Sequence, residues 1–253
     1  MLYFIPESRG SGAPSAEIAL NFRPNAPLSL PFMPTLRAAI LDFDGLILDT
    51  ESAGFEALRR IFSAYGASYT LADYLHVVGT HNTLPALLNL LEERSGRRVA
   101  PADFDAARQT HETELNAHLP VLPGVLDLLD AAHRAGLKLG VASSSSHNWV
   151  DGFLQRYGLL TRFDTVVCRG DAPQAKPAPD LYLEALRRLG VAADEAVAFE
   201  DSYNGSLAAK RAGLWCVAVR NAITRSQDFA HCDIVVDTLA GFDLAGLIQR
   251  LAQ

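Results

Sequence analysis

Asp42 and Asp44 stand two residues apart at the end of the apolar run AAILDFD and lead straight into Gly45. Carboxylates are costly to hide and like charges repel, so the arrangement needs a use. Alternate residues of an extended strand project to the same side, which lets both carboxylates serve one atom. Three further stretches carry groups of complementary chemistry: the hydroxyls of Ser143, Ser144, Ser145 and Ser146, the ammonium of Lys176 in AKPAPD, and the acidic pair Glu200 and Asp201. Together they suit one task, holding a divalent cation and a phosphoryl group. Any one of them alone reads as a turn, a helix cap or a surface side chain.

The elements around these residues give them a common address. RAAILDFD has the continuous apolar character of a buried parallel strand, as do KLGVAS, FDTVVC, AVAFED, LWCVAV and DIVVD. Stretches of helical spacing alternate with them, such as LPGVLDLLDAAHRAG, with Pro123 placed to start a helix and Gly136 to end it. Strand–helix alternation predicts an α/β fold, a Rossmann-like doubly wound parallel sheet. Such sheets bind ligands at the carboxyl ends of their strands. The aspartate pair, Ser143 and the acidic pair all fall at those ends, and Lys176 follows another through a loop. Residues 52–118 carry helical patterns without a strand, longer than an ordinary connection, and read as an inserted helical subdomain. The expected organisation is therefore a catalytic core over residues 36–51 and 119–253, a helical cap over 52–118, and a flexible extension over 1–35. That extension is rich in Pro, Ser, Gly and Asn, and Met33 offers an alternative start.

In order and spacing the four stretches resemble the motifs of the haloacid dehalogenase superfamily, in its phosphatase and β-phosphoglucomutase-like branch. DFDGLILDT (42–50) matches the pattern DxDGxxxDT; VAS, ending in Ser143, KPAPD from Lys176, and EDS (200–202) match the other three. The resemblance covers about residues 38–237. It implies that Asp42 is a nucleophile forming an aspartyl-phosphate, and that Asp44 is the acid and base for leaving oxygen and water. It implies a Mg²⁺ ion on the Asp42 and Asp201 carboxylates and the Asp44 backbone carbonyl, with Glu200 a further candidate. Ser143, Ser144 and Lys176 would hold the phosphoryl group. His81, in VVGTHNT, falls where related insertions place a loop over the active site and is a candidate substrate contact. Asp49 and Thr50 read as shaping the entry to the insertion, and Ser145 and Ser146 as loop and helix cap before His147.

Among the reactions of the superfamily, Asp44 favours phosphoryl transfer over carbon–halogen cleavage. Mutases of the β-phosphoglucomutase type carry a His where this chain has Gly54, and an Arg near Thr80, His81 and Asn82. Both departures favour hydrolysis of a small phosphorylated metabolite, a sugar phosphate foremost, with the mutase as the alternative. A binding or regulatory module of the same fold is a third reading, opposed by the intact Asp42, Asp44, Lys176 and Asp201.

Bulk composition narrows the partners. Hydrophobic residues make up 49% of the 253 residues, enough for a substantial core, and the formal net charge of −7 gives no broad basic surface for nucleic acid. No apolar run is long enough to span a membrane. The three cysteines, Cys168, Cys216 and Cys232, form no CxxC pair and read as reduced thiols of a cytoplasmic protein. The expected partner is a small phosphorylated substrate, bound by a monomer or homodimer.

Overall fold

A computed structural model of the chain describes residues 36–78 and 83–251. The expectations for residues 1–35 and for Thr80, His81 and Asn82 lie outside the described residues.

The apolar run before the aspartate pair forms β1 (Ala38–Leu41), every residue of it buried. Its side chains alternate between two cores: Ala39 and Leu41 join one cluster, Ala38 and Ile40 the other. The strand β4 (Ala196–Glu200) repeats the pattern, with Val197 and Phe199 on the first side and Ala196 and Ala198 on the second. A strand buried on both faces needs this unbroken apolar character, which is why no polar alternation shows in the sequence. With β2 (Lys138–Ala142), β3 (Thr165–Val167), β5 (Trp215–Val219) and β6 (Ile234–Val236) they make a six-stranded sheet in the order β3-β2-β1-β4-β5-β6. Every pairing is parallel.

Helices cover both faces. Helices α5 (Val125–Arg134), α6 (His147–Arg156) and α9 (Leu244–Leu251) supply Leu128, Val150, Phe153 and Leu247 to the larger cluster. On the other face, α7 (Asp180–Leu189) and α8 (Tyr203–Arg211) contribute Leu181, Ala185, Ala208 and Ala209. Strand order reverses direction between β1 and β4, the point at which a doubly wound sheet opens a crevice for a ligand.

Between β1 and β2 lie α1 (Thr50–Ala64), α2 (Leu71–Leu75), α3 (Leu84–Ser95) and α4 (Pro101–Asn116). They enclose a third cluster, with Leu58, Phe62, Tyr69, Tyr74, Leu91 and Phe104, and one core residue, Ile223, packs into it. Asp49 caps α1 by accepting a hydrogen bond from the Ser52 amide at 3.1 Å. Thr70 and Asp73 form a capping box at the start of α2, which Arg94 of α3 braces through both Asp73 oxygens. No helix among the described residues is long and apolar enough to cross a membrane.

Candidate active site

Asp42, Ser143 and Asp201 each stand one residue past a strand, Glu200 is the last residue of β4, and Asp44 lies three residues past β1. The Asp42 amide donates to the Phe199 carbonyl at 2.9 Å, extending the β1–β4 ladder by one rung, and the Ser143 amide does the same to Val167 beside β2 and β3. Asp201 follows β4 directly. Asp42, Asp44, Ser143, Ser144, Lys176 and Asp201 all line one cavity of about 760 Å³.

Its floor is a buried ionic cluster. Lys176 Nζ donates to Asp42 Oδ1 and to Glu200 Oε1, each at 2.5 Å, and all three residues are sequestered from solvent. Tyr182, fully buried on α7, donates its hydroxyl to the same Glu200 oxygen at 2.6 Å. Ser202 donates to the other Glu200 oxygen and caps α8 by accepting from the Gly205 amide. Glu200 lies so close under the first turn of α8 that a Cβ on Gly205 would fall 2.0 Å from its Oε2. Glu200 is thus fastened by several donors, more a clamp on Lys176 than an open ligand.

The carboxylates outnumber the ammonium. Burial raises the Asp42 carboxyl well above the ordinary range; Lys176 opposes this, while Glu200 and Asp44 add to it. Burial likewise raises Asp201, reinforced by the charges of Asp42 and Glu51. Burial works to lower Lys176, but Asp42 and Glu200 outweigh it and hold the ammonium charged. Carboxyl oxygens of Asp42, Glu200 and Asp201 lie within 4.8 Å of one another, and the ammonium bonded to two of them, Lys176, does not reverse the upward push on Asp42 and Asp201. An all-oxygen cluster whose acids repel one another fits a hard divalent cation, which would favour their ionised forms. Asp201 is aimed by Asn221, whose Nδ2 donates to Asp201 Oδ2 at 2.7 Å and to the Gly45 carbonyl at 3.1 Å. Gly45 sits at φ +78°, and a Cβ there would lie 2.2 Å from Asp201 Oδ2, so conformation and space both demand glycine.

Asp44 is held differently. Its Oδ1 accepts from Thr50 Oγ1 and from the Trp149 indole N–H, both at 2.8 Å. Its Oδ2 accepts from Ser145 Oγ at 2.6 Å and from Ser143 Oγ at 3.3 Å. Its carboxylate therefore faces the serine loop and the start of α1, and any part in cation binding falls to its backbone carbonyl. Ser145 departs from its reading as plain loop, because the turn after β2 brings its hydroxyl onto Asp44. Ser146 is the residue before α6 but makes no side-chain cap bond. Ser144 Oγ is buried without a hydrogen-bond partner.

Across the cavity stand Glu51 and Gly54 of α1, Tyr74 of α2 and Glu112 of α4. Tyr74 donates its hydroxyl to Glu51 Oε2 at 2.6 Å. Burial pushes the Glu51 carboxyl up to about 7, the Tyr74 bond opposing and nearby Asp44 adding. Sequence reasoning missed Trp149, Tyr182, Glu51 and Asn221. Asn221 had a usable signal, since it stands two residues past the end of β5, close to where Asp201 stands past β4. Trp149 lies in the first turn of α6, the helix after the serine loop. Tyr182 carried no signal, being an apolar position of an amphipathic helix until its hydroxyl is located.

The fold and this strand-end site define a haloacid dehalogenase-type hydrolase, and comparison with known proteins agrees. The family model for haloacid dehalogenase-like hydrolases matches residues 39–219. YhcW of Bacillus subtilis, named provisionally as a phosphatase, is 39% identical over 85% of this chain and 98% of its own. The phosphorylated carbohydrates phosphatase of Thermotoga maritima is 33% identical over 71% of this chain and 82% of its own. A crystal structure of a CbbY mutant from Rhodobacter sphaeroides, in complex with xylulose-(1,5)bisphosphate, superposes with a TM-score of 0.71. It is 32% identical and covers 84% of this chain and 99% of that one. The chain belongs to the haloacid dehalogenase-like hydrolase family, and within it is a phosphatase.

Proposed function

We propose that the chain hydrolyses small phosphomonoesters, sugar phosphates foremost, in a Mg²⁺-dependent reaction through a phosphorylated Asp42. The observation that carries this is the placing of Asp42: buried, gripped by Lys176, beside Asp201, and open to the cavity that Asp44 and the serine loop share. An Asp42 oxygen attacks phosphorus as the bond to the leaving oxygen breaks, and Asp44 supplies that oxygen with its proton. Water then gives a proton to Asp44 and attacks phosphorus, and the bond to Asp42 breaks. Lys176 offsets charge on Asp42 and the phosphoryl oxygens, and Ser143 and Ser144 offer hydroxyls to those oxygens. Asp42 and Asp201 carboxylates with the Asp44 carbonyl would hold Mg²⁺, which when bound neutralises phosphoryl charge. Thr50, Ser145 and Trp149 position the Asp44 carboxylate.

The helical insertion, over residues 52–118, acts as a cap: it walls the cavity opposite the strand ends, excludes bulk water and contacts the leaving group. Hydrolysis is favoured over the mutase reaction by Gly54. A Cβ at that position would lie 2.6 Å from the Tyr74 hydroxyl, so the space for a larger side chain is already taken. The sugar phosphate class draws support from the relatives, one named for phosphorylated carbohydrates and one crystallised with a sugar bisphosphate.

The test is phosphate release from a panel of phosphorylated metabolites and an aryl phosphate, with Mg²⁺ and with EDTA. Metal-dependent release is expected. Conversion of β-glucose 1-phosphate to glucose 6-phosphate, primed by a bisphosphate and without free phosphate, would establish the mutase instead.

A further inference from the structure

Among the described residues, the acids lining the cavity are Asp42, Asp44, Glu51, Asp105, Glu112 and Asp201, and the cations are Arg108, Lys176 and Arg169. A substrate carrying negative charge away from its reacting phosphate must find a cation that those acids have not claimed. Lys176 is claimed twice, by Asp42 and Glu200. Arg108 is claimed twice as well, by Glu112 and Asp105 on its own helix. Arg169 is different: among the described residues its guanidinium has neither ion pair nor side-chain hydrogen bond.

The free state of Arg169 is arranged by its neighbours. The carboxylate nearest in sequence, Asp171, is occupied: its Oδ2 accepts from the Cys168 amide at 3.0 Å, meets His147 Nε2 at 2.8 Å and pairs with Arg188 at 3.3 Å. Asp151 is turned toward the other nitrogen of His147, at 2.9 Å. The backbone of Arg169 is meanwhile fixed to the phosphoryl side of the cavity, its amide donating to the Ser145 carbonyl at 2.9 Å. An exposed, uncommitted guanidinium stands at the carboxyl end of β3, two residues past the strand and flanking the serine loop.

We propose that Arg169 holds a second phosphate of the substrate, so that the preferred substrates are sugar bisphosphates rather than monophosphates. This rests on the phosphomonoester hydrolase reading above. A guanidinium presents paired N–H donors that match two oxygens of one phosphate, and the acidic walls would repel a dianion without such an anchor. The anchor belongs to the sheet rather than to the helical insertion.

The experiment measures inhibition of phenyl phosphate hydrolysis, with Mg²⁺, by fructose 1,6-bisphosphate, fructose 6-phosphate and 3-phosphoglycerate, in wild type and Arg169→Gln. Wild type is expected to bind the bisphosphate more tightly than the monophosphate. Arg169→Gln is expected to shrink that ratio about tenfold, the loss of one charge-assisted double contact, and Arg169→Lys to restore part of it. An unchanged ratio, or a wild type that prefers the monophosphate, overturns the proposal while leaving the hydrolase reading in place. A matching loss for 3-phosphoglycerate alone would replace the second phosphate by a carboxylate and overturn it as well. Absence of phenyl phosphate hydrolysis in wild type would sink both readings together.

Discussion

On the sheet side of the cavity the charged groups are buried and tied across the fold, Lys176 to Asp42 over 134 residues of sequence. On the helical side Arg108 is partly exposed and tied to its own helix, to Glu112 four residues on and to Asp105 three residues back. The first arrangement cannot shift without breaking contacts to several strands. The second can rearrange while its helix stays intact. Fixed charges suit chemistry that must repeat unchanged, and charges that can rearrange suit the part of a substrate that the sheet does not hold.

The sharpest way to break this contrast is at Asp42. Asp42→Asn is expected to reduce turnover of an aryl phosphate by at least about a thousandfold, because a carboxamide cannot replace the attacking oxygen. Retained turnover in that variant would remove Asp42 as nucleophile and the sheet wall as the seat of chemistry.

A second variant probes how tightly that wall is packed. In an ordinary exposed helix Gly→Ala stabilises by up to about 1 kcal/mol. Gly205→Ala should do the opposite, by about 3 kcal/mol in urea unfolding, since the added carbon meets Glu200 in a filled core. A neutral or stabilising result would mean that Glu200 has room to move, and the rigidity argued for it would be lost.

Glu51 tests the helical wall. Its folded carboxyl is raised from 4.5 to about 7, so between those values the folded chain keeps a proton that the unfolded chain releases. Stability from this group therefore falls as pH rises through that window and levels off above it. Glu51→Gln, which cannot ionise and can still accept from Tyr74, should be the more stable above pH 7 by about 2 kcal/mol, discounted for partial exposure, and should match wild type near pH 4.5. Parallel unfolding curves across pH would show that Glu51 is solvated as an ordinary surface acid.

The smallest effect is expected at Arg108. Arg108→Ala leaves Glu112, already raised by burial, and Asp105 uncompensated in the cavity wall. KM for a phosphorylated substrate should rise roughly fivefold with kcat within about twofold, the mark of lost binding rather than lost chemistry. A fall in kcat equal to that of a strand-end variant would erase the division between the walls.

Much of the sheet wall was legible from sequence. Strand ends announce themselves as apolar runs that stop at a polar residue, so Asp42, Ser143 and Asp201 could be placed before any coordinates. What escaped were partners whose role exists only through proximity. Trp149 stands 105 residues from Asp44 and looks like one more aromatic of an amphipathic helix. Tyr182 is a core side chain whose hydroxyl happens to find Glu200. Ser145 and Ser146 are identical in type, and only the turn of the backbone sends one hydroxyl to Asp44 and leaves the other as a helix boundary. The helical wall was less legible still, because helical spacing identifies a buried face but not what that face encloses.

The strand order has a kinetic side. β1 and β4 are neighbours in the sheet, yet the whole helical insertion, β2 and β3 lie between them in the chain. Closing so large a loop costs entropy before any contact repays it, and non-local pairings of this kind form slowly. Helices can therefore appear on refolding well before Asp42 meets Asp201. Return of activity is a clock for the last pairing of the central strands, and a nascent chain stays catalytically silent until β4 has emerged from the ribosome.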